Sequence, residues 1–226
     1  IASASELGYR SGEFHAPQGA VSSRGLESML RYFTLPVRQV ERFDDLPIPF
    51  RAVATDMETG QAVVMDSGDL ALALRSSMSV PGVFSPTDVD GRILGDGGLV
   101  NNTPVDVARA LGADIVIVVN IGTPLAGRET FNSAVGLTTQ MVNILTEQNV
   151  QRSLASLTPR DVLIAPSLGT LASSDFNEVR RFIALGVAGT WGRSDKLALL
   201  SLDRAAYAAW RARHPPPDFS KPLLGS

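Results

Sequence analysis

The chain contains no cysteine, which removes disulfide frameworks and thiolate metal sites. It leaves the redox compartment undetermined, because reducing and oxidising locations both tolerate a Cys-free chain. Imidazoles are scarce as well, with His15 and His214 near opposite ends. A histidine-rich metal centre is therefore excluded, and any metal would need oxygen ligands. The acid pairs Asp44-Asp45 and Asp88 with Asp90 lack the further ligands of a calcium loop and read as solvated turn acids. No Gly-x-Gly-x-x-Gly occurs, so Asn120 to Pro124 reads as a loop after a strand rather than a phosphate site; no cofactor is expected. Long apolar runs are missing too. The runs present, such as Ile115 to Val119, are far short of the roughly 20 residues of a membrane helix, so no transmembrane segment is expected. The 20 Lys and Arg are scattered and give no basic footprint for nucleic acid. Ile1 is not followed by a basic and then apolar leader, and the chain reads as a piece of a longer one.

What is present fits an α/β domain with a substantial core: 226 residues, 44% apolar, net charge -3. Leu26, Met29, Leu30 and Phe33 fall at helical spacing behind Ser22 or Ser23. Phe50 to Thr55 and Ala62 to Met65 read as strands joined by the turn Glu58-Thr59-Gly60. A helix capped within Ser67 to Asp69 stops before Pro81. Asp90-Gly91, between Thr87-Asp88-Val89 and Arg92-Ile93-Leu94, has the setting of a type I′ hairpin turn. Thr103 as N-cap and Pro104 at the first helical position predict a helix to Gly112. Asp114 to Ile121 predicts a strand buried on both faces of a parallel sheet. A helix from Phe131 to about Leu157, a strand from Val162 to Ala165 and a helix from Asp175 follow. Gly186 and Gly189 in that last helix suggest close packing against a neighbour. Ser201 is expected to cap a final helix carrying Tyr207 and Trp210, which read as core or interface residues.

Asp96 is the first candidate for chemistry. It lies in Gly95-Asp96-Gly97-Gly98, just after a hairpin whose turn is already accounted for, and a helix start follows. An ionised carboxylate there can act as a general base toward a hydroxyl or water within hydrogen-bond reach. The tripeptide Asp-Gly-Gly alone is more often a flexible loop.

Its surroundings are more specific. The stretch IPFRAVATDMETGQAVVMDSGDLALALRSSMSVPGVFSPTDVDGRILGDGGLVNNTPVDVARALGADIVIVVNIG, positions 48 to 122, closely resembles the patatin-like phospholipases, with weaker similarity to about Trp191. The resemblance implies a three-layer α/β/α fold with a largely parallel central sheet. It also implies a catalytic dyad of a serine on a strand-to-helix elbow and an aspartate in Asp-Gly-Gly or Asp-Gly-Ala. Asp96 matches that aspartate and Gly97 and Gly98 the rest of the motif, while Arg75 to Pro86 matches a segment beside the family's active site. A dyad without histidine agrees with the scarcity of imidazoles.

The family's Gly-x-Ser-x-Gly and its glycine-rich oxyanion loop are not in this sequence. The nearest approach is Ala165-Pro166-Ser167-Leu168-Gly169, and Pro166 directly before the serine is unsuited to an elbow that needs small flanking residues. Two smaller departures are Gly95, where the family often has a bulkier residue, and Thr103, where an apolar one is common. The expectations are these. Residues 1-200 form the C-terminal two-thirds of a patatin-like acyl hydrolase domain whose N-terminal part is missing, and 201-226 form a terminal helix and Pro-rich linker. The complete protein hydrolyses phospholipids or other acyl esters at a membrane surface, and this piece alone is inactive. Homodimerisation is compatible with that reading. The tail resembles the join to an outer-membrane barrel, which would imply a bacterial, exported protein. The other reading is a non-catalytic binding or tethering module in which the Asp96 loop is structural.

Overall fold

The computed structural model describes residues 8–10, 13–15, 23–122, 127, 134–169, 171 and 175–215. The chain divides into two compact units at Asn102 and Thr103. Two short strands, β1 (Gly8–Arg10) and β2 (Glu13–His15), pair antiparallel. The first unit continues with α1 (Ser23–Thr34), β3 (Ala52–Asp56), β4 (Ala62–Met65), α2 (Leu70–Ser77), β5 (Thr87–Val89), β6 (Arg92–Asp96) and the short helix α3 (Gly98–Asn101).

Four of these strands form one sheet in the order β4-β3-β6-β5, antiparallel throughout. Local turn chemistry dictates the outer pairings. Between β3 and β4 the Asp56 carboxylate accepts from the Glu58 and Thr59 N–H groups at 2.9 and 3.1 Å, and Gly60 supplies a φ of 70°. Between β5 and β6, Asp90 and Gly91 have φ of 52° and 78°, the two positive values that a type I′ turn requires. Small side chains let α2 lie close to the sheet: Ala52, Ala54, Ala71 and Ala73 are all buried. Phe43 fills the remaining space, packing with Ala52 and Ala73 against Leu46, Phe50, Met65 and Leu70. Asp69 caps α2 with its carboxylate, accepting from Ala71 and Leu72 N–H, and meets Arg31 of α1 at 2.6 Å.

The second unit holds α4 (Val105–Ala110), β7 (Ile117–Val119), α5 (Ala134–Ala155), β8 (Val162–Ile164), α6 (Val179–Trp191), α7 (Ser194–Ala198) and α8 (Arg204–Arg213). β7 and β8 pair in parallel, Ile117 opposite Val162, as a crossover through a helix requires. Val105, Val116 and Val118 are its core, with Ala108, Ala113, Leu154, Leu157 and Leu163 around them. Asp161 ties this unit together from a side chain with no exposure. Its carboxylate accepts from Thr158 N at 2.7 Å, Val116 N at 2.8 Å, Thr158 Oγ1 at 2.8 Å and the Arg109 guanidinium at 2.6 Å. These backbone donors, then Thr158 Oγ1 and Arg109, hold the acid far below the usual carboxylate range.

The α/β class is as expected, but the pairing is less parallel than expected: among the described residues, parallel pairing is confined to β7 and β8. The reason is that β3 with β4, and β5 with β6, are joined by tight turns, which permit only antiparallel neighbours. Other local expectations need correction. Thr103 does not cap α4. Pro104 occupies the cap position, Val105 N–H turns to the Thr103 carbonyl, and Thr103 Oγ1 is buried without a partner among the described residues. Asp203, not Ser201, caps α8, accepting from Ala206 N–H. β7 buries Val118, with Val116 just before it, and exposes Ile117 and Val119, so it is covered on one face rather than two. Gly189 does make a close approach, since a Cβ there would lie 3.1 Å from Pro166 Cα, whereas Gly186 has open space. The tail from residue 216 lies outside the described residues.

Two consequences are measurable. Phe43→Ala should lower the unfolding free energy of the first unit by about 3–5 kcal/mol in urea melts, because a fully buried ring is lost from a core built of alanines. Asp161→Asn should lower the thermal midpoint at neutral pH. An acid whose folded pKa is depressed contributes stability above its unfolded pKa of about 4 and loses it as pH falls toward the folded value. The difference between the two proteins should therefore shrink as pH falls below about 4.

Candidate active site

Asp96 is the last residue of β6, opposite Ala54 of β3. Four hydrogen bonds to backbone carbonyls fix the chain there, two from amides and two from side-chain hydroxyls. Asp96 N–H donates to the Ser79 carbonyl at 3.0 Å and Gly97 N–H to the Ser77 carbonyl at 3.3 Å, while Thr55 Oγ1 donates to the Asp96 carbonyl at 2.7 Å. Ser77 Oγ in turn donates to the Val53 carbonyl at 2.7 Å. Strand β3, strand β6 and the end of α2 thus converge on one residue.

The glycines on either side answer to close packing. A Cβ on Gly97 would fall on the carbonyl of Val53, and one on Gly98 would come within 2.8 Å of both Asp96 Oδ1 and Asn102 Oδ1. Asp-Gly-Gly here is accordingly a packing requirement and not a flexible loop, since both glycines are buried. At Gly95 a Cβ would lie 2.5 Å from the sulfur of Met57. That thioether occupies the volume a larger residue before the aspartate would need.

The Asp96 side chain has unequal oxygens. Oδ1 accepts from Gly98 N–H at 2.7 Å, whereas Oδ2 makes no hydrogen bond to the described residues. Burial raises the pKa of the carboxyl above its ordinary value, against the smaller opposing pull of the Gly98 N–H. A carboxylate with one oxygen anchored, the other available and a raised proton affinity is suited to accept a proton from a nearby hydroxyl.

The segment Arg75 to Pro86, expected beside the site, is held by its own buried polar groups. The Arg75 guanidinium donates to Ser79 Oγ at 2.5 Å and to the Ser85 carbonyl at 2.8 Å, and lies 5.2 Å from the Phe84 ring centroid. Ser76 Oγ meets Thr87 Oγ1 at 2.5 Å. Ser79, whose carbonyl receives the Asp96 N–H, is therefore fixed through Arg75. The supporting parts played by Thr55, Ser77 and Ser79 were not read from the sequence. A hydroxyl in an alternating strand or a Ser-Ser-Met-Ser helix end gives no signal of which backbone carbonyl it will meet.

Among the other candidates, Ser167 follows β8 in an irregular stretch, with Pro166 packed against Gly189. No helix starts at it, so it is not on an elbow. His214 closes α8, stacked on Trp210. Asn120 Oδ1 accepts from Gly122 N–H at 3.0 Å, a local turn. No group of three or more His, Asp or Glu among the described residues is arranged to hold a metal ion. No described helix is long and apolar enough to cross a membrane. Clefts of about 550 Å³ beside α1 and the start of α2, and about 480 Å³ between β4, α2 and the β5–β6 hairpin, do not include Asp96 in their walls.

Comparison with known proteins finds similarity over part of the chain. Residues 3–109 match the model of the patatin-like phospholipases. The chain is 42% identical over 84 residues to an uncharacterized NTE family protein of Mycobacterium tuberculosis (strain ATCC 25618 / H37Rv), covering 37% of this chain and 23% of that protein. It is 41% identical over 88 residues to patatin-like phospholipase domain-containing protein 7 of Mus musculus, covering 38% of this chain and 6% of that protein. Over 89 residues it is 37% identical to patatin-like phospholipase domain-containing protein 6 of Homo sapiens, with the same 38% and 6% shares. The chain thus spans less than a quarter of the length of these relatives.

Gly97→Ala should cost about 3 kcal/mol, because the new carbon meets a strand carbonyl that cannot move aside. Asp96→Asn should behave in the opposite way. A raised folded pKa means that the stability linked to Asp96 is complete below its unfolded pKa of about 4 and declines as pH rises through the folded value. Removing the charge should leave the thermal midpoint at neutral pH unchanged or higher, and a clear fall would contradict the raised pKa.

Proposed function

We propose, from the match of residues 3–109 to the patatin-like phospholipases, that the chain carries the general base of a lipid acyl hydrolase. The observation that supports this best is the divided role of the Asp96 oxygens: Gly98 N–H orients Oδ1, and Oδ2 is left for a substrate-side proton. The serine partner is supplied by a segment that this sequence does not contain.

In the proposed reaction the serine Oγ attacks the ester carbonyl and its proton passes to Asp96 Oδ2. Collapse of the tetrahedral adduct breaks the bond to the alcohol, which leaves with the proton from Asp96, and an acyl-serine remains. A water then gives its proton to Asp96 and attacks the acyl carbon. When the serine leaves it takes that proton back, and the free acid and the starting enzyme are restored. Burial of Asp96 strengthens the step, since a raised pKa brings its proton affinity closer to that of the groups it exchanges with. The substrate class is a phospholipid or related acyl ester.

A chain that includes the upstream serine segment should hydrolyse a short-chain nitrophenyl ester, and Asp96→Asn should lower kcat/KM by about 10²–10⁴ without loss of folding. The acid limb of kcat/KM should fall as pH drops through a value above the ordinary carboxylate range, because only ionised Asp96 accepts the proton. The 226-residue chain alone should give no serine-dependent turnover. Full activity of the Asp96→Asn protein would show that Asp96 is not the base, whereas no hydrolysis by the unsubstituted protein would support a non-catalytic module with a structural Asp-Gly-Gly.

A further inference from the structure

The second unit ends in a helix that hardly packs on anything. In α8 every residue from Arg204 to Arg213 is exposed except Ala206, which is half-buried. A ten-residue helix is marginal in water on its own propensity. Its side chains are nevertheless sorted. Arg204, Tyr207, Trp210, Arg211 and His214 recur at helical spacing along one side, Ala206 and Arg213 flank it beside Trp210, and Ala205, Ala208, Ala209 and Ala212 occupy the far side. Tyr207, Trp210 and His214 form a continuous stack with ring centroids 6.0 and 4.8 Å apart and near-parallel planes. Tyr207 is 52% and Trp210 40% exposed. Among the described residues Arg204, Arg211 and Arg213 have no ion-pair partner.

Charge singles out the same region. Arg180, Arg181, Arg193, Lys196, Arg204, Arg211 and Arg213 face only Asp195 and Asp203 between residues 179 and 215, leaving 13 of the 20 cations and 21 of the 23 acids for the rest of the chain. Although its cations do not form one block, this stretch is net positive in a chain of net charge -3. Large apolar side chains are also out in solvent there: Trp191 is 72% and Leu199 84% exposed. Arginine flanking tryptophan and tyrosine is a combination that partitions to the boundary between lipid head groups and acyl chains. The rings take the boundary, and the cations meet anionic phosphates.

We propose that α8, with the basic segment leading into it, is a docking element for an anionic phospholipid surface. Tyr207 and Trp210 lie at the head-group boundary, and Arg204, Arg211 and Arg213 meet lipid phosphate. Binding of this kind needs no hydrolysis, so it can be measured in the chain as it stands and fails or holds independently of the Asp96 chemistry.

Co-flotation of the 226-residue chain with phosphatidylcholine vesicles, with and without phosphatidylglycerol, tests the proposal. The chain should float with the anionic vesicles and not with the neutral ones, and raising NaCl from about 50 to about 500 mM should release it. Replacing Arg204, Arg211 and Arg213 by Gln should weaken partitioning by about 100-fold, roughly fivefold per cation, and replacing all three by Lys should retain it. Trp210→Ala should weaken binding while leaving its salt dependence unchanged. In the Trp191→Phe protein the remaining Trp210 emission should shift to the blue on anionic vesicles. Equal binding to neutral vesicles, no binding to either, or unchanged binding by the Gln variant would overturn the proposal. Self-association that the same substitutions abolish, without vesicle binding, would also overturn it and assign the face to a second copy of the chain.

Discussion

The contact on which the first unit depends is the one between the backbone of Gly97 and the carbonyl of Val53. Two strands and a helix end can meet at Asp96 only because no side chain stands between them. Once the backbones touch, the remaining donors fall into place: Thr55 on the Asp96 carbonyl, Ser77 on Val53, and the two amides on the carbonyls of Ser77 and Ser79. The carboxylate is held from its main chain, which leaves its side chain with one internal bond and one open oxygen. Rigidity of the support and availability of the acid come from the same arrangement.

Much of this was legible in the sequence, for a physical reason. Hairpins and caps are decided within a few residues, so Asp90-Gly91 and Glu58-Thr59-Gly60 announced their turns, and Ser67 to Asp69 announced a cap that falls at Asp69. Asp96 stood out as a candidate because its setting closely resembles a known one. What did not show was the partner of each hydroxyl and the exposure of each apolar face. Thr103 looked like a cap from its neighbour Pro104, but the proline takes the cap position itself and turns the hydroxyl inward. The run through Ile117 and Val119 looked buried on both faces because composition cannot say how many layers cover a strand.

The two units distribute polar burial differently. In the first, burying Asp96 raises its proton affinity above the ordinary carboxylate value. In the second, Asp161 is buried among so many donors that the charged form is strongly preferred. Two carboxylates of the same kind thus serve opposite ends, one suited to exchanging a proton and the other to keeping its charge. Satisfaction of hydrogen bonds, rather than depth alone, separates them.

The bonds to Asp161 also order events in time. Arg109 precedes it by 52 residues and Val116 by 45. A chain growing from its N-terminus therefore exposes that guanidinium and that amide to water through the whole synthesis of α5 before their acceptor exists. Until Asp161 emerges, β7 has no β8 to pair with and the valines of its inner face have little cover. The bonds that tie the second unit together consequently cannot form until that carboxylate has been made.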